Sequence, residues 1–438
     1  MKKLLPLVIS ITLGGVSHFA FADDIATIYQ QAKQNDPQLL SAAASKDSAF
    51  EAINSSRASL LPQVNLNAGY NITRSNRDAN ENDVLSAGIG LTQQIFSRDS
   101  WINLDISEMD ARKADAAYAA TQQGLILRVS VAYFEVLRAI DNLEFVRAEK
   151  AAVGRQLEQT QQRFEVGLSA ITDVHDARAQ YDAVLASEIV AENELINSYE
   201  GLREITGQEH TSLDVLDTTR FSASRPDRNV DALLETAQQQ NLALLAARIT
   251  QDVARERIEL AQSSRLPTVS FSAGYDMVDI NVKNSSPMNS DSDYNDLKAG
   301  INLSMPLYTG GNITSQVKQA QYGYVAASQA LEEDYRGVVR DVRAYYNTIN
   351  ASIGSLRAYE QTVISARSAL EATEAGFDVG TRTIVDVLDS TRRLFDANRS
   401  LSNARYDYIL STLRLKQAVG TLSEQDIVDI NAGLVAAK

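Results

Sequence analysis

The chain has 438 residues, 44% of them hydrophobic and 22% charged, a composition of globular or membrane-associated proteins that excludes a disordered chain. A formal charge of −15 repels phosphate backbones and argues against nucleic-acid binding. With no cysteine there is no disulfide, no thiol nucleophile and no N-terminal cysteine to carry a lipid.

Residues 1–22 pair Lys2 and Lys3 with an apolar stretch and an Ala20-Phe21-Ala22 end, the pattern of a secretory signal removed before Asp23. Losing the two lysines makes the exported chain more acidic still. Beyond this segment no run of ~20 apolar residues occurs, so any membrane span must be built from strands.

The rest of the chain is written twice. Residues 28–53 align without gaps to 233–258, 61–70 to 266–275, 87–96 to 299–308, and 163–183 to 376–396. Repeat 1 covers 23–217, a linker with Pro226 covers 218–229, and repeat 2 covers 230–438. No proline lies between Pro62 and Pro226 or after Pro306, which leaves room for long helices at about 99–165, 170–207, 312–376 and 383–420. The longest would extend roughly 100 Å. Val129, Tyr133, Val136, Ile140 and Leu143 recur at steps of four and three, as do Val342, Tyr346, Ile349, Ile353 and Leu356. Such spacing predicts coiled-coil packing, and any long antiparallel helix pair would show it too.

Each repeat also predicts two strands, at about 62–73 and 84–97, then 267–280 and 296–308. Val64, Leu66, Ala68, Tyr70 and Ile72 alternate with polar residues, and Val269, Phe271, Ala273, Tyr275 and Met277 do the same. This period of two fits a membrane strand with one lipid face and one lumen face, and equally a soluble hairpin packed on helices. The uncharged Gly, Asn, Ser and Thr of the polar face, with long polar loops at 73–83 and 281–296, favour the membrane. Four strands cannot close a barrel, because the smallest have about eight, so a membrane role requires an oligomer.

Asp386 and Asp389 lie three apart on one face of a helix start. Around the axis of an oligomer they would form stacked carboxylate rings, which attract and are blocked by cations. Thr383 and Asp386 also fit a capping box that satisfies helix amides. Gly167 and Gly380 break the long helices and suit positive-φ turns. Catalytic signatures are missing: there is no HExxH, G-x-S-x-G or P-loop, and only His175 and His210 remain after signal removal. Asp173, His175 and Asp176 make a poor metal set, because adjacent helical residues point apart. A soluble periplasmic coiled-coil adaptor or structural protein is the competing class.

The doubled helix-hairpin-helix unit, LLPQ and RLPT before the strands, YTGG at 308–311, the VGL and VGT turns, ITDVHDARAQYD and TRTIVDVLD together resemble the TolC family of outer-membrane efflux channels. That resemblance spans essentially the whole exported chain. It implies a mainly α fold in a homotrimer, with a twelve-stranded β-barrel in outer-membrane lipid continued by a twelve-helix α-barrel through the periplasm. It implies a passive exit duct for multidrug efflux and type I secretion, without cofactor, recruited by a periplasmic adaptor (membrane fusion) protein and an inner-membrane pump of RND, ABC or MFS type. By resemblance, Asp386 and Asp389 match the pore constriction, and a gate latch joins Arg382 to Thr172 and Asp173 and Gln156 to Glu374. A further latch position, occupied here by Phe377, faces Asp173, and Phe377 has no hydroxyl to donate. The adaptor docking tip matches Val166, Gly167 and Leu168 with Val379, Gly380 and Thr381.

Overall fold

The computed structural model describes residues 23–74, 81–282 and 291–436. The signal segment and the middle of both strand loops lie outside these residues. In chain order the elements are α1 (Ile25–Asn35), α2 (Pro37–Ala58), β1 (Gln63–Thr73), β2 (Asn82–Phe96), α3 (Arg98–Glu165), α4 (Ile171–Thr206), β3 (Val215–Leu216) and α5 (Val230–Gln240). There follow α6 (Leu242–Ser263), β4 (Thr268–Val282), β5 (Ser292–Ser304), α7 (Asn312–Asp378), α8 (Ile384–Val419), α9 (Glu424–Asn431) and β6 (Leu434–Val435).

The fold is mainly helical, with one four-stranded antiparallel sheet ordered β1-β2-β4-β5. Its edges are β1 and β5, one from each repeat, and among the described residues neither has a partner on its outer side. Register places Leu66, Ile89, Tyr275 and Leu297 in one row across all four strands. The next row, on the opposite face, is Asn67, Gly88, Asp276 and Asp296. Among the described residues no helix covers the apolar rows: Leu66 is 78% exposed and Leu297 81%. The soluble-hairpin expectation required a helix packed there.

The fourth strand corrects the sequence expectation of 296–308. It begins earlier, at Ser292, because the polar residues Ser292 to Asn295 still pair with β4, and it ends at Ser304. Pro306 follows, whose missing N–H cannot continue a ladder.

Helices α3 and α7 have 68 and 67 residues, roughly 100 Å each. Each packs along a shorter partner, α4 and α8 respectively, and α3 also runs against α8. Val129, Tyr133 and Val136 are fully buried, as is Val342 in the second repeat. Near mid-length, α1, α3, α4, α8 and α9 share one core around Tyr133, Phe134, Leu202 and Tyr406. Buried hydroxyls there are satisfied: Tyr133 donates to the Asp214 carbonyl (2.6 Å) and Tyr406 to Asp141 (2.8 Å). The pair β3–β6 ties the end of repeat 1 to the end of the chain. Among the described residues no helix is long and apolar enough to cross a membrane.

Candidate constriction and helix-hairpin tip

Both long hairpins turn at the same end through one device. Gly167 and Gly380 take φ of 76° and 79°, the left-handed conformation that glycine adopts without strain. Leu168 N–H reaches the Arg163 carbonyl and Thr381 N–H the Gly376 carbonyl, each at 2.8 Å, while the glycine N–H groups bond Phe164 and Phe377. These are Schellman closures, which satisfy the last helix carbonyls. They leave Val166 (70%), Leu168 (75%) and Val379 (75%) exposed at the tip beside Thr381.

The second carboxylate helix starts as the capping motif requires. Thr383 N–H and Oγ1 both donate to Asp386 Oδ2 at 2.9 Å, and Asp386 N–H returns a bond to Thr383 Oγ1. The backbone hydrogen bond from Thr383 holds the Asp386 carboxyl below the usual carboxylate range. Asp389, one turn on, meets Arg392 at 2.5 Å and Arg393 at 2.6 Å, one guanidinium on each oxygen. Asp386, Asp389 and Arg392 line one groove together with Asp176 and Gln180 of α4.

The latch residues are not joined as the resemblance pairs them. Within the chain Asp173 accepts from Ser169 Oγ (2.6 Å) and Ala170 N–H (3.2 Å), capping its own helix α4. Among the described residues no hydrogen bond or ion pair links Arg382 to Thr172 or Asp173. Gln156 donates to Thr391 Oγ1 at 2.9 Å, not to Glu374, which is exposed on α7. Phe377 instead lies under Arg163, whose guanidinium is 4.5 Å from the ring centre and donates to the Phe377 and Asp378 carbonyls at 3.4 Å. Sequence reasoning passed over Arg163, Thr391, Arg392 and Arg393. For the last two, the i+3 and i+4 spacing from Asp389 was the available signal.

A profile of the outer membrane efflux protein family matches residues 28–208 and 233–421, nearly all of both repeats. The chain belongs to that family. It is 68% identical over 438 residues, all of both chains, to the outer membrane protein TolC of Vibrio cholerae serotype O1. To TolC of Escherichia coli K12 it is 47% identical, over 99% of this chain and 90% of that one. A more distant relative, the alkaline protease secretion protein AprF of Pseudomonas aeruginosa, is 27% identical over the full chain and 93% of its own. The crystal structure of the Campylobacter jejuni CmeC outer membrane channel shares the fold, with a TM-score of 0.76 at 15% identity, over 94% of this chain and 90% of that one. As a member of the outer membrane efflux protein family, the chain is a transport protein of the outer membrane and forms an efflux channel. The soluble-adaptor alternative is set aside by this membership and by the uncovered apolar face of the sheet.

Proposed function

We propose that three copies join β1 to β5 of the next copy, closing a twelve-stranded barrel in the outer membrane continued by a twelve-helix tunnel. The observation that carries this is the sheet itself: four strands, two open edges and one apolar face. In lipid each unpaired edge group costs several kcal/mol, so an isolated sheet cannot stay there. The strands, 11 to 15 residues long, are long enough for the ~9–11 needed to span the hydrocarbon.

In this assembly Asp386 and Asp389 line the narrowest point, and the hairpin tips face a periplasmic adaptor. Exposed Val166, Leu168 and Val379 supply apolar anchors for a partner. The adaptor in turn brings an inner-membrane pump of RND, ABC or MFS type, and the duct opens passively, with no catalytic step. The secretion role named for AprF extends the reading to protein export. Arg382, Thr172, Asp173, Gln156 and Glu374 then act between copies or in the assembled gate, since among the described residues neither Arg382 nor Glu374 has a side-chain hydrogen bond or ion pair. The test is planar-bilayer recording of the purified protein. Asp386→Asn with Asp389→Asn should change conductance and ion selectivity, whereas unchanged values would remove these residues from the pore. A bulky residue at Gly167 should abolish drug resistance while trimers persist; intact resistance would rule out docking at the tip.

A further inference from the structure

The carboxylate rings do not stand alone. Asp386, Asp389 and Arg393 fall at i, i+3 and i+7 of α8 and so share one stripe of the helix, with Arg392 beside it. Each oxygen of Asp389 already meets a guanidinium, from Arg392 at 2.5 Å and from Arg393 at 2.6 Å. Asp386 is turned onto the amide end of its own helix, where the partial positive charge of the N-terminus offsets it. Two acids and two arginines within two helical turns give that stretch no net formal charge. Further along, Asp396 is matched by Arg399 at 2.8 Å, so the balance continues. The groove's remaining acid is Asp176 of α4.

We propose that Arg392 and Arg393 set the charge selectivity of the constriction by cancelling the field of Asp386 and Asp389. This rests on the pore reading of the two aspartates. Exposed ion pairs contribute little to stability, but cancellation of a field needs only proximity. Both guanidiniums stand within 2.6 Å of Asp389, well inside the screening length of ~8 Å at physiological salt, and Asp386 lies one helical turn from Asp389, so a solute in the pore meets their sum. Arginine does not lose its proton, and the compensation holds at any pH at which the carboxylates are charged. The consequence is a constriction that binds multivalent cations weakly and admits anionic solutes, where bare carboxylate rings would exclude them.

The experiment records the full-length protein in planar bilayers. It measures reversal potential in a KCl gradient and block by hexaamminecobalt(III), for the wild type and three double variants. Arg392→Gln/Arg393→Gln should tighten block by about tenfold or more and shift permeability toward potassium, as uncovered carboxylates require. Arg392→Lys/Arg393→Lys, which keeps the charge, should resemble the wild type. Asp386→Asn/Asp389→Asn should shift permeability toward chloride. If the glutamine pair changes nothing while the asparagine pair does, compensation is overturned and the pore reading stands. If neither pair changes either quantity, the pore reading fails and the proposal falls with it. Trimer on an unheated gel confirms assembly of each variant.

Discussion

The guanidinium of Arg163 lies 4.5 Å from the centre of the Phe377 ring and joins the last turn of α3 to the last turn of α7. Both helices end here, so two negative dipole ends meet side by side, and one cation serves both. Asp378 adds a carboxylate 3.9 Å from the same group. Phe377, with no hydroxyl to donate, thus offers Arg163 an aromatic face. A partly exposed cation–π contact of this kind is worth about 0.5–2 kcal/mol. Arg163→Ala should loosen the tip and raise single-channel conductance, with Phe377→Leu giving a smaller rise. Unchanged conductance in both would show that the contact does not hold the closed state.

Gln156 and Thr391 give an asymmetric prediction. Thr391 Oγ1 donates to the Val387 carbonyl while accepting from Gln156, so it keeps a bond if Gln156 is lost. Gln156 is buried, has no other partner for its amide among the described residues, and its Oε1 is already unpaired. Thr391→Val should therefore cost about 1–3 kcal/mol by orphaning a buried donor, while Gln156→Leu should be close to neutral. Thermal dissociation of the detergent-purified protein distinguishes the two.

The two repeats end alike, at Gly207 and Gly420, with φ of 68° and 86°. Around Gly207 a Cβ would meet nothing nearer than Asn35 Cβ at 3.8 Å, but at Gly420 it would lie 2.4 Å from the Gln240 carbonyl oxygen. Backbone at the α5–α6 junction cannot yield as a side chain can. Gly207→Ala should cost about 1–2 kcal/mol of strain, and Gly420→Ala about 1–3 kcal/mol more from the clash. Melting temperatures of the two variants should differ in that order.

Glu149 is buried between α3 and α8, only 6% exposed, at a position where the seam above it carries Val146. Burial raises its pKa, with Arg399 pulling the other way. A carboxyl whose folded pKa exceeds its unfolded one contributes stability below the unfolded pKa and loses it as pH rises through the folded value. Glu149→Gln should therefore be more heat-stable than the wild type at neutral pH, and the gain should vanish below the ordinary carboxylate range. A gain independent of pH would contradict the assignment.

Much of this was legible in the sequence because it is periodic. Heptads at Val129 to Leu143 and alternation at Val64 to Ile72 predicted helix packing and a two-faced sheet, and the Val-Gly pairs predicted the left-handed turns. Elements without a period escaped: β3 and β6 have two residues each and exist only through pairing across 215–216 and 434–435. The eight-residue α9 was absorbed into the end of the second repeat. At the tip, Thr383 and Asp386 could be read because a capping box is local. Arg163 on Phe377 could not, because it joins residues from opposite repeats and no local pattern marks it. The arginines beside Asp389 were in plain view, and only attention to charge on the same helix face was needed to pair them.

A channel in lipid requires neighbouring copies to complete the open sheet. Mass measurement of the protein extracted in mild detergent, with and without heating, is the most direct check. Three chains per particle that separate on heating, and precipitation when detergent is withdrawn, are the predicted results. A single chain that stays dissolved and monodisperse in detergent-free buffer would contradict the account.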